Sequence, residues 1–249
     1  MKKRNVFLIS FGVFITLTFL LGCTTTTYKD IEGKTVQVER LPDDAPLEER
    51  LAQLDKLSYM VNYEMTIEND DDDDSAKMTI EITQFVDSSG NLRQDGVVED
   101  KQIRQYIKGE KVYTCINSNN EWSCGELPSN EADVQNIGEN LQEYMGQYQL
   151  PFTKTKKIAG GNSACYGMSS MGFDVEYCFS PEGVPVLMRT ESDFFKMKME
   201  AKSYSLGISG DDFELPAEIG DLEAVSEESG SVHIKSNTPG VDVDIDVDW

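Results

Sequence analysis

Strict alternation of apolar and polar side chains limits the fold of this chain more than any other feature of its sequence. In the clearest stretch, Tyr59, Val61, Tyr63, Met65 and Ile67 alternate with residues that are mostly polar. A period of two places the apolar side chains on one face of a β-strand. Further strand candidates are residues 77–83, 102–108, 111–117, 121–126, 153–158, 163–170, 173–180, 184–191 and 194–206. We therefore predict a mainly β (α+β) fold, a curled antiparallel sheet or open half-barrel of about nine or ten strands.

Two segments have helical periodicity instead, and both are expected to cover the apolar face of the sheet. The first begins at Pro46, a residue that suits the first turn of a helix. Its apolar stripe consists of Leu47, Leu51 and Leu54. The second spans residues 131–148, and its Gly138 and Gly146 each cost about 1 kcal/mol relative to Ala. We expect this second helix to be loosely held.

Four of the five cysteines are spaced for two cross-strand disulfides. Cys115 and Cys124 flank Asn119-Asn120, a pair that favours a type I′ hairpin turn. Counting outward from this turn places the two cysteines opposite each other at a non-hydrogen-bonded site, where side chains approach most closely. Cys165 and Cys178 occupy the same kind of site in a second hairpin. We predict these two pairings; the two other connectivities, a metal site and a redox dithiol remain alternatives, although CxxC spacing is absent.

The N-terminus reads as an export signal. A basic start precedes an apolar run, and Leu20-Leu21-Gly22-Cys23 resembles the prokaryotic lipobox, whose Cys is lipidated and becomes the first mature residue. We predict a signal peptide over residues 1–22 and a lipidated Cys23 that opens a flexible tether over residues 23–44. The chain is then exported and anchored by lipid to the outer face of a membrane, at the cell surface or in the periplasm. An uncleaved transmembrane anchor is the alternative.

The charge balance excludes several classes of function. The chain has 22 Lys and Arg against 45 Asp and Glu, which gives a net charge of −23. Residues 1–22 contain three basic residues and no acidic ones, so their removal changes the net charge to −26. Such a chain repels phosphate backbones and anionic headgroups, so we expect no nucleic-acid partner and no membrane contact except through lipid. The single histidine, His233, leaves no Ser-His-Asp, Cys-His or multi-His constellation. We predict no enzyme, no metal site and no cofactor.

Two acidic segments have weaker interpretations. Asp70–Asp74 are consecutive and lack the spaced ligands, central Gly and final Glu of an EF-hand, so we expect a solvated loop. Residues 221–249 are predicted to be an acidic C-terminal tail. Its last residues alternate Val or Ile with Asp and fit either an edge strand or a disordered segment, with weak divalent-cation binding left open.

The closing motif Phe213-Glu214-Leu215-Pro216 follows a long strand and a short loop. Together with the order of elements over residues 45–220, it resembles the LolA-like (lipoprotein-carrier) superfamily. The resemblance implies an open half-barrel covered by helices, an apolar cavity that holds acyl chains, and neither catalytic residues nor a cofactor. The chain departs from the family because no residue matches a lipid-gating Arg and because the two hairpin disulfides are not a general family feature.

Methionines concentrate on the predicted apolar faces, where their flexible, polarizable side chains suit a surface for variable apolar ligands. We expect a membrane-anchored lipoprotein that binds a lipid, acyl chain or lipoprotein in the half-barrel, with the second helix as a lid. The residues expected to line the cavity are Tyr63, Met65, Met78, Met145, Phe195, Met197 and Met199. The alternative is a non-catalytic structural or interaction lipoprotein whose methionines simply fill the core.

Overall fold

The computed structural model describes residues 25–69, 76–98, 101–127, 150–170, 172–220, 222–227, 231–236 and 244–248. Three predictions lie outside these residues: the signal peptide with Cys23, the Asp70–Asp74 run, and the second helix over residues 131–148 with its Met145. None of the helices in the described ranges has the length and hydropathy needed to cross a membrane.

The described chain is dominated by antiparallel strands. A hairpin of β1 (Thr25–Lys29) and β2 (Thr35–Glu39) and the helix α1 (Leu47–Leu54) come first. The strands that follow are β3 (Tyr59–Asn69), β4 (Ala76–Val86), β5 (Leu92–Val98), β6 (Lys101–Lys108), β7 (Lys111–Ser118), β8 (Glu121–Leu127), β9 (Phe152–Ile158), β10 (Gly161–Ser170), β11 (Phe173–Phe179), β12 (Pro185–Ser192) and β13 (Phe195–Leu206). A short 3₁₀ helix (Gly210–Phe213) precedes β14 (Leu222–Glu227), β15 (Ser231–Ser236) and β16 (Asp244–Asp248).

Strands β3 to β13 form one open, curled sheet in the order β8-β7-β6-β5-β4-β3-β13-β12-β11-β10-β9. Each half is a simple meander of neighbouring hairpins, and the halves join at the centre through the antiparallel pair β3 and β13. We call the end where β3 begins, at Tyr59, the upper end of the sheet, and the end where it stops, at Asn69, the lower end. The predicted curled antiparallel half-barrel is confirmed.

The sheet has eleven strands instead of the predicted nine or ten. The additional strand is β5, which the sequence did not predict. Its sequence places Arg93, Asp95 and Gly96 where an amphipathic strand normally carries apolar or β-branched residues. Arg93 is nevertheless buried, because its guanidinium hydrogen-bonds to both carboxylate oxygens of Asp95 and its carbon Cζ lies 4.5 Å from the centre of the Phe85 ring.

Both predicted disulfides are present at the predicted registers. Cys115 lies opposite Cys124 with their Cα atoms 4.1 Å apart, and Cys165 lies opposite Cys178 at 4.0 Å. The turn between the first pair has positive φ at both Asn119 and Asn120, as a type I′ turn requires. Hairpin geometry therefore determined both pairings.

The main core lies between the helix α1 and the upper half of one sheet face, which we call the inner face. Leu47, Leu51 and Leu54 pack there with Tyr59, Val61, Tyr63, Tyr166, Phe179 and Val186. The helix begins after Pro46 and buries the leucine stripe that its sequence predicts. This first predicted helix is confirmed.

The flexible tether predicted over residues 23–44 is wrong for residues 25–39. These residues form the β1–β2 hairpin, and Tyr28 and Val38 are buried in the main core. The Tyr28 hydroxyl accepts a hydrogen bond from the backbone N–H of Ser58 (3.0 Å) and donates one to the carbonyl of Lys56 (3.3 Å). The polar residues around Tyr28 misled the prediction, because a single buried apolar side chain on each strand, Tyr28 on β1 and Val38 on β2, holds the hairpin in place.

The opposite, outer face of the sheet is covered near β4–β8 by residues 207–217, which we call the strap. Phe213 packs against Phe85, and Leu215 packs against Tyr106 and the Cys115–Cys124 disulfide. The predicted closing motif thus seals a second core on the far side of the sheet. The predicted tail beyond it contains three paired strands, β14 to β16, and the alternating residues at its end form the edge strand β16.

Candidate functional site

The two faces of the central strands differ sharply in charge. Along β10–β13, β3 and β4, the described inner-face positions carry no Asp, Glu, Lys or Arg. The outer face of the same strands carries a ladder of ion pairs, which include Lys77–Glu68, Lys202–Glu64, Lys198–Glu200 and Arg189–Glu176. An apolar ligand therefore has only the inner face available to it on this part of the sheet.

Six of the ten methionines lie together on the inner face and form what we call the methionine band: Met65, Met78, Met168, Met188, Met197 and Met199. Two rows of directly opposed residues build it. In the first row, Met188, Met199 and Met65 are consecutive cross-strand neighbours. In the second, Met197 and Met78 lie on either side of Ile67. Register therefore brings residues that are far apart in sequence onto one surface.

The inner face above the methionine band is closed core. Tyr63 is 2% exposed, and its hydroxyl donates a 2.6 Å hydrogen bond to the carbonyl of Pro185. Burial raises the pKa of Tyr63 well above its ordinary value and raises that of Tyr59 in the same way. Both phenols stay protonated at neutral pH, so this part of the face is uncharged as well as packed.

Arg50 fixes the helix α1 above this core. Its guanidinium donates from Nε to the Tyr166 hydroxyl (2.5 Å), from Nη1 to the carbonyl of Ser180 (3.2 Å) and from Nη2 to that of Pro42 (2.6 Å). The Tyr166 hydroxyl in turn donates to the carbonyl of Ala45. The helix is thereby tied both to the sheet and to the segment that leads into it.

Below the core, the inner face becomes progressively more exposed. Met65, Met168, Met188 and Met199 are partly buried against the core. Met78 is 49% exposed and Phe195, one row further down, is 36% exposed. The eight residues of α1 extend about 12 Å, whereas the eleven residues of β3 extend about 36 Å. The described helix therefore covers only the upper part of the face.

The predicted lining residues thus fall into three groups. Met65, Met197 and Met199 lie side by side in the methionine band, and Met78 and Phe195 lie at its exposed lower border. Tyr63 belongs to the core under α1 instead of an open surface. Sequence reasoning places Met188 on an apolar face but leaves it out of the predicted lining. It missed Met168, although the alternation Ala164, Tyr166, Met168 in β10 marks this residue as an inner-face residue.

A compact group of potential metal ligands lies on the outer face. One ligand atom each from Cys165, Glu176 and Cys178 falls within 4.8 Å of the others. The two sulfurs are joined to each other, and the Glu176 carboxylate accepts hydrogen bonds from Lys156 and pairs with Lys154 at 3.2 Å. Burial by itself would raise the pKa of Glu176, but the hydrogen bonds from these lysines lower it overall. The group is an ion-paired structural cluster.

No protein-family model and no curated protein sequence matches this chain. Among solved structures, it is similar to a LolA superfamily protein from Nitrosomonas europaea, with a TM-score of 0.39 and 10% identity over 69% of this chain and 98% of that one. It is also similar to the lipoprotein LppX from Mycobacterium tuberculosis (TM-score 0.34, 11% identity, 62% of this chain and 94% of that one). A DUF1329 family protein from Desulfovibrio piger gives a TM-score of 0.35 and 11% identity over 68% and 94% of the two chains.

Proposed function

We propose that this protein is a membrane-anchored extracytoplasmic lipoprotein that binds an apolar ligand, a lipid or an acyl chain, against the methionine band. The observation that carries the proposal is the lower inner face itself. It is free of charge over its described positions, continuous with the core, and left partly exposed by α1. No catalytic step is proposed, since binding needs only this surface.

The composition of the band suits an apolar ligand of variable shape. Methionine has three rotatable bonds and a polarizable sulfur, so neighbouring methionines adapt to different hydrocarbon chains. A partly exposed apolar surface on a protein with a net charge of −23 is otherwise unfavourable. Burial of a ligand methylene contributes about 0.8 kcal/mol, so even part of an acyl chain supplies substantial affinity.

Membrane anchoring rests on the sequence of the first 23 residues. A Cys23→Ala variant should lose metabolic labelling with a radioactive fatty acid and should move from the membrane fraction to the soluble fraction. Retention of the label by Cys23→Ala would contradict lipidation at this residue. A variant that loses the label but remains in the membrane would show that Cys23 carries the lipid and that the apolar segment of the variant stays uncleaved.

Ligand binding can be tested on purified, tag-free protein. Native mass spectrometry and solvent extraction should recover lipid from the protein, and the delipidated form should take up a fluorescent fatty acid. If neither method finds a ligand, the methionine band is ordinary core and the protein is a non-catalytic structural or interaction lipoprotein.

Two neighbouring residues of β4 provide a matched pair of variants. Met78 lies on the inner face and Thr79 on the outer face, and both are exposed. Met78→Glu should weaken fatty-acid uptake about tenfold, because the ligand would then desolvate a carboxylate. Thr79→Glu adds the same charge one residue away and should leave uptake unchanged. Equal uptake by both variants would place the ligand elsewhere.

A further inference from the structure

The outer face of the sheet carries a groove of about 370 Å³ that the proposed lipid site does not use. It runs across β3, β4, β5 and β6 and ends at Trp122 of β8. Its volume lies within the range of small-molecule sites. Because it opens on the face opposite the methionine band, we call it the outer groove.

A row of polar side chains forms the floor of the outer groove. Asn62, Thr83, Asp95 and Arg104 are consecutive cross-strand neighbours on β3, β4, β5 and β6. The Thr83 hydroxyl donates to the Asn62 side-chain oxygen (2.8 Å), and the Asn62 amide donates to the hydroxyl of Ser203 (2.9 Å). An Asn amide and a Thr hydroxyl each offer more donor and acceptor positions than these bonds use. The floor can therefore both donate to and accept from a ligand.

An aromatic wall closes one end of the outer groove. The guanidinium carbon of Arg104 lies 4.5 Å from the centre of the Trp122 ring, and its Nε lies 3.4 Å from the Asp95 carboxylate. Both contacts hold the guanidinium in place. At the other side of the groove, Val97 is 56% exposed and adds apolar surface.

The charges that line the outer groove cancel. Glu81 and Asp95 are the acidic residues, and Arg104 and Lys202 are the basic ones. Lys202 is already paired with Glu64 at 2.8 Å, and Arg104 with Asp95. An anionic ligand would have to compete with Glu64 and Asp95 for these two bases. A cationic ligand would have to compete with the same two bases for the carboxylates. A neutral ligand meets no such competition.

We propose that the outer groove binds a neutral saccharide of one or two rings. Sugar hydroxyls donate and accept hydrogen bonds at once, as the Asn62–Thr83–Asp95–Arg104 floor requires. The C–H surface of a sugar ring packs against an indole and an aliphatic side chain such as those of Trp122 and Val97. The site is independent of the lipid function, since it lies on the other face of the sheet.

The proposal is tested with the full-length protein in a detergent that has no sugar headgroup. Trp249→Phe leaves Trp122 as the sole tryptophan, so its emission reports on the groove. Maltose, cellobiose, lactose and diacetylchitobiose are titrated, and calorimetry is run in parallel. At least one should give a saturable change with a Kd on the order of 0.1–10 mM. No saturable signal by either method with any of the four sugars would overturn the proposal.

Matched variants on β4 locate the binding. Thr83→Val removes a hydroxyl from the groove floor and should weaken binding about three- to tenfold. Thr79→Val makes the same change four residues along the same face, outside the groove, and should have no effect. Gln102→Ala, at an exposed lining position, provides a second groove variant if Thr83→Val folds poorly. Unchanged affinity in the groove variants would overturn the assignment, and fatty-acid uptake should be the same in all of them.

Discussion

Arg50 is 1% exposed, yet it lies on a helix whose other buried residues are leucines. Its position three residues after Leu47 places it on the leucine face, where a charged group is stable only if it is hydrogen-bonded. The hydroxyl of Tyr166 and the carbonyls of Ser180 and Pro42 each accept a hydrogen bond from one of its three nitrogens. Two of these partners, Tyr166 and Ser180, lie more than 100 residues away in the chain, so no local pattern in the sequence predicts the burial of Arg50.

We expect Arg50→Met to lower the free energy of unfolding by about 2–4 kcal/mol, because it removes the three hydrogen bonds that the buried guanidinium donates to Tyr166, Ser180 and Pro42. Urea denaturation followed by circular dichroism measures the change. Glu49→Gln, an exposed change on the neighbouring residue of the same helix, should stay within about 0.5 kcal/mol of the unmodified protein. Equal stability of Arg50→Met and Glu49→Gln would show that the guanidinium network is dispensable.

Glu176 should make stability depend on acid pH. Burial would raise the pKa of its carboxyl, but hydrogen bonds from Lys156 and Lys154 lower it below the ordinary value of 4.5. Its contribution to stability is therefore complete above about pH 5 and is lost as the pH falls below 4.5 through the folded-state pKa. Glu176→Gln should lose about 1 kcal/mol at pH 7, and the difference from the unmodified protein should shrink below pH 4.5.

The measurement is urea unfolding of both proteins from pH 3 to pH 8. Glu191→Gln is a suitable control, since its side chain is 38% exposed and its pairs with Arg189 and Lys196 are long, at 3.7 and 3.9 Å. A stability difference for Glu176→Gln that stays constant down to pH 3 would contradict this role for the carboxylate.

At the scale of elements, the Cys115–Cys124 disulfide and the strap form one unit. Leu215 and Ala217 pack against this disulfide, and the backbone N–H of Gly220 donates to the carbonyl of Cys124 (2.8 Å). The strap, and the residues that follow it up to Gly220, therefore depend on β8 keeping its place at the edge of the sheet.

Replacing both Cys115 and Cys124 with Ala should lower stability by about 2–3 kcal/mol. It should also speed hydrogen exchange at Gly220, because the edge strand that accepts its hydrogen bond becomes free to fray. The matched double variant Cys165→Ala with Cys178→Ala should be similarly destabilised but should leave exchange at Gly220 unchanged. Equal protection of Gly220 from hydrogen exchange in both double variants would show that this segment does not depend on the Cys115–Cys124 disulfide.

The elements that could be predicted are those with a local signal. Alternation located ten of the eleven strands of the main sheet, and turn residues paired the cysteines. Strand β5 was missed because a buried arginine breaks its alternation. The β1–β2 hairpin was missed because it exposes most of its side chains and depends on Tyr28 reaching a distant core. Exposure within the methionine band likewise follows from the length of α1 relative to β3, which no periodicity encodes.

At the scale of the whole molecule, unbalanced charge opposes folding. The net charge of −23 remains after the outer-face ion pairs have formed, and like charges repel more strongly in the compact state than in the unfolded chain. Added salt weakens this repulsion, because at 0.1 M charges that lie more than about 10 Å apart are largely screened from each other.

We expect the melting temperature at pH 7 to rise by a few degrees, about 3–6 °C, between about 0.02 M and 0.5 M NaCl. The same salt series near pH 4.3, the isoelectric point, should give little change because the net charge there is close to zero. Differential scanning calorimetry provides both series. A melting temperature that falls with salt at pH 7 would mean that attractive ion pairs outweigh the repulsion.

The docked β1–β2 hairpin has a mechanical consequence for a lipid-anchored protein. Strand β1 begins at Thr25, two residues after Cys23, and two residues reach at most about 7 Å. With Cys23 lipidated as proposed, the protein has no stalk, and the upper end of the sheet rests on the bilayer. Met78, opposite Ile67, and Phe195, opposite Asn69, lie about 26 Å and about 33 Å from Tyr59 along β3, near its lower end. The proposed lipid site then faces the aqueous compartment, so we expect a bound lipid to be exchanged with a partner that arrives from solution and not with the membrane that holds the protein.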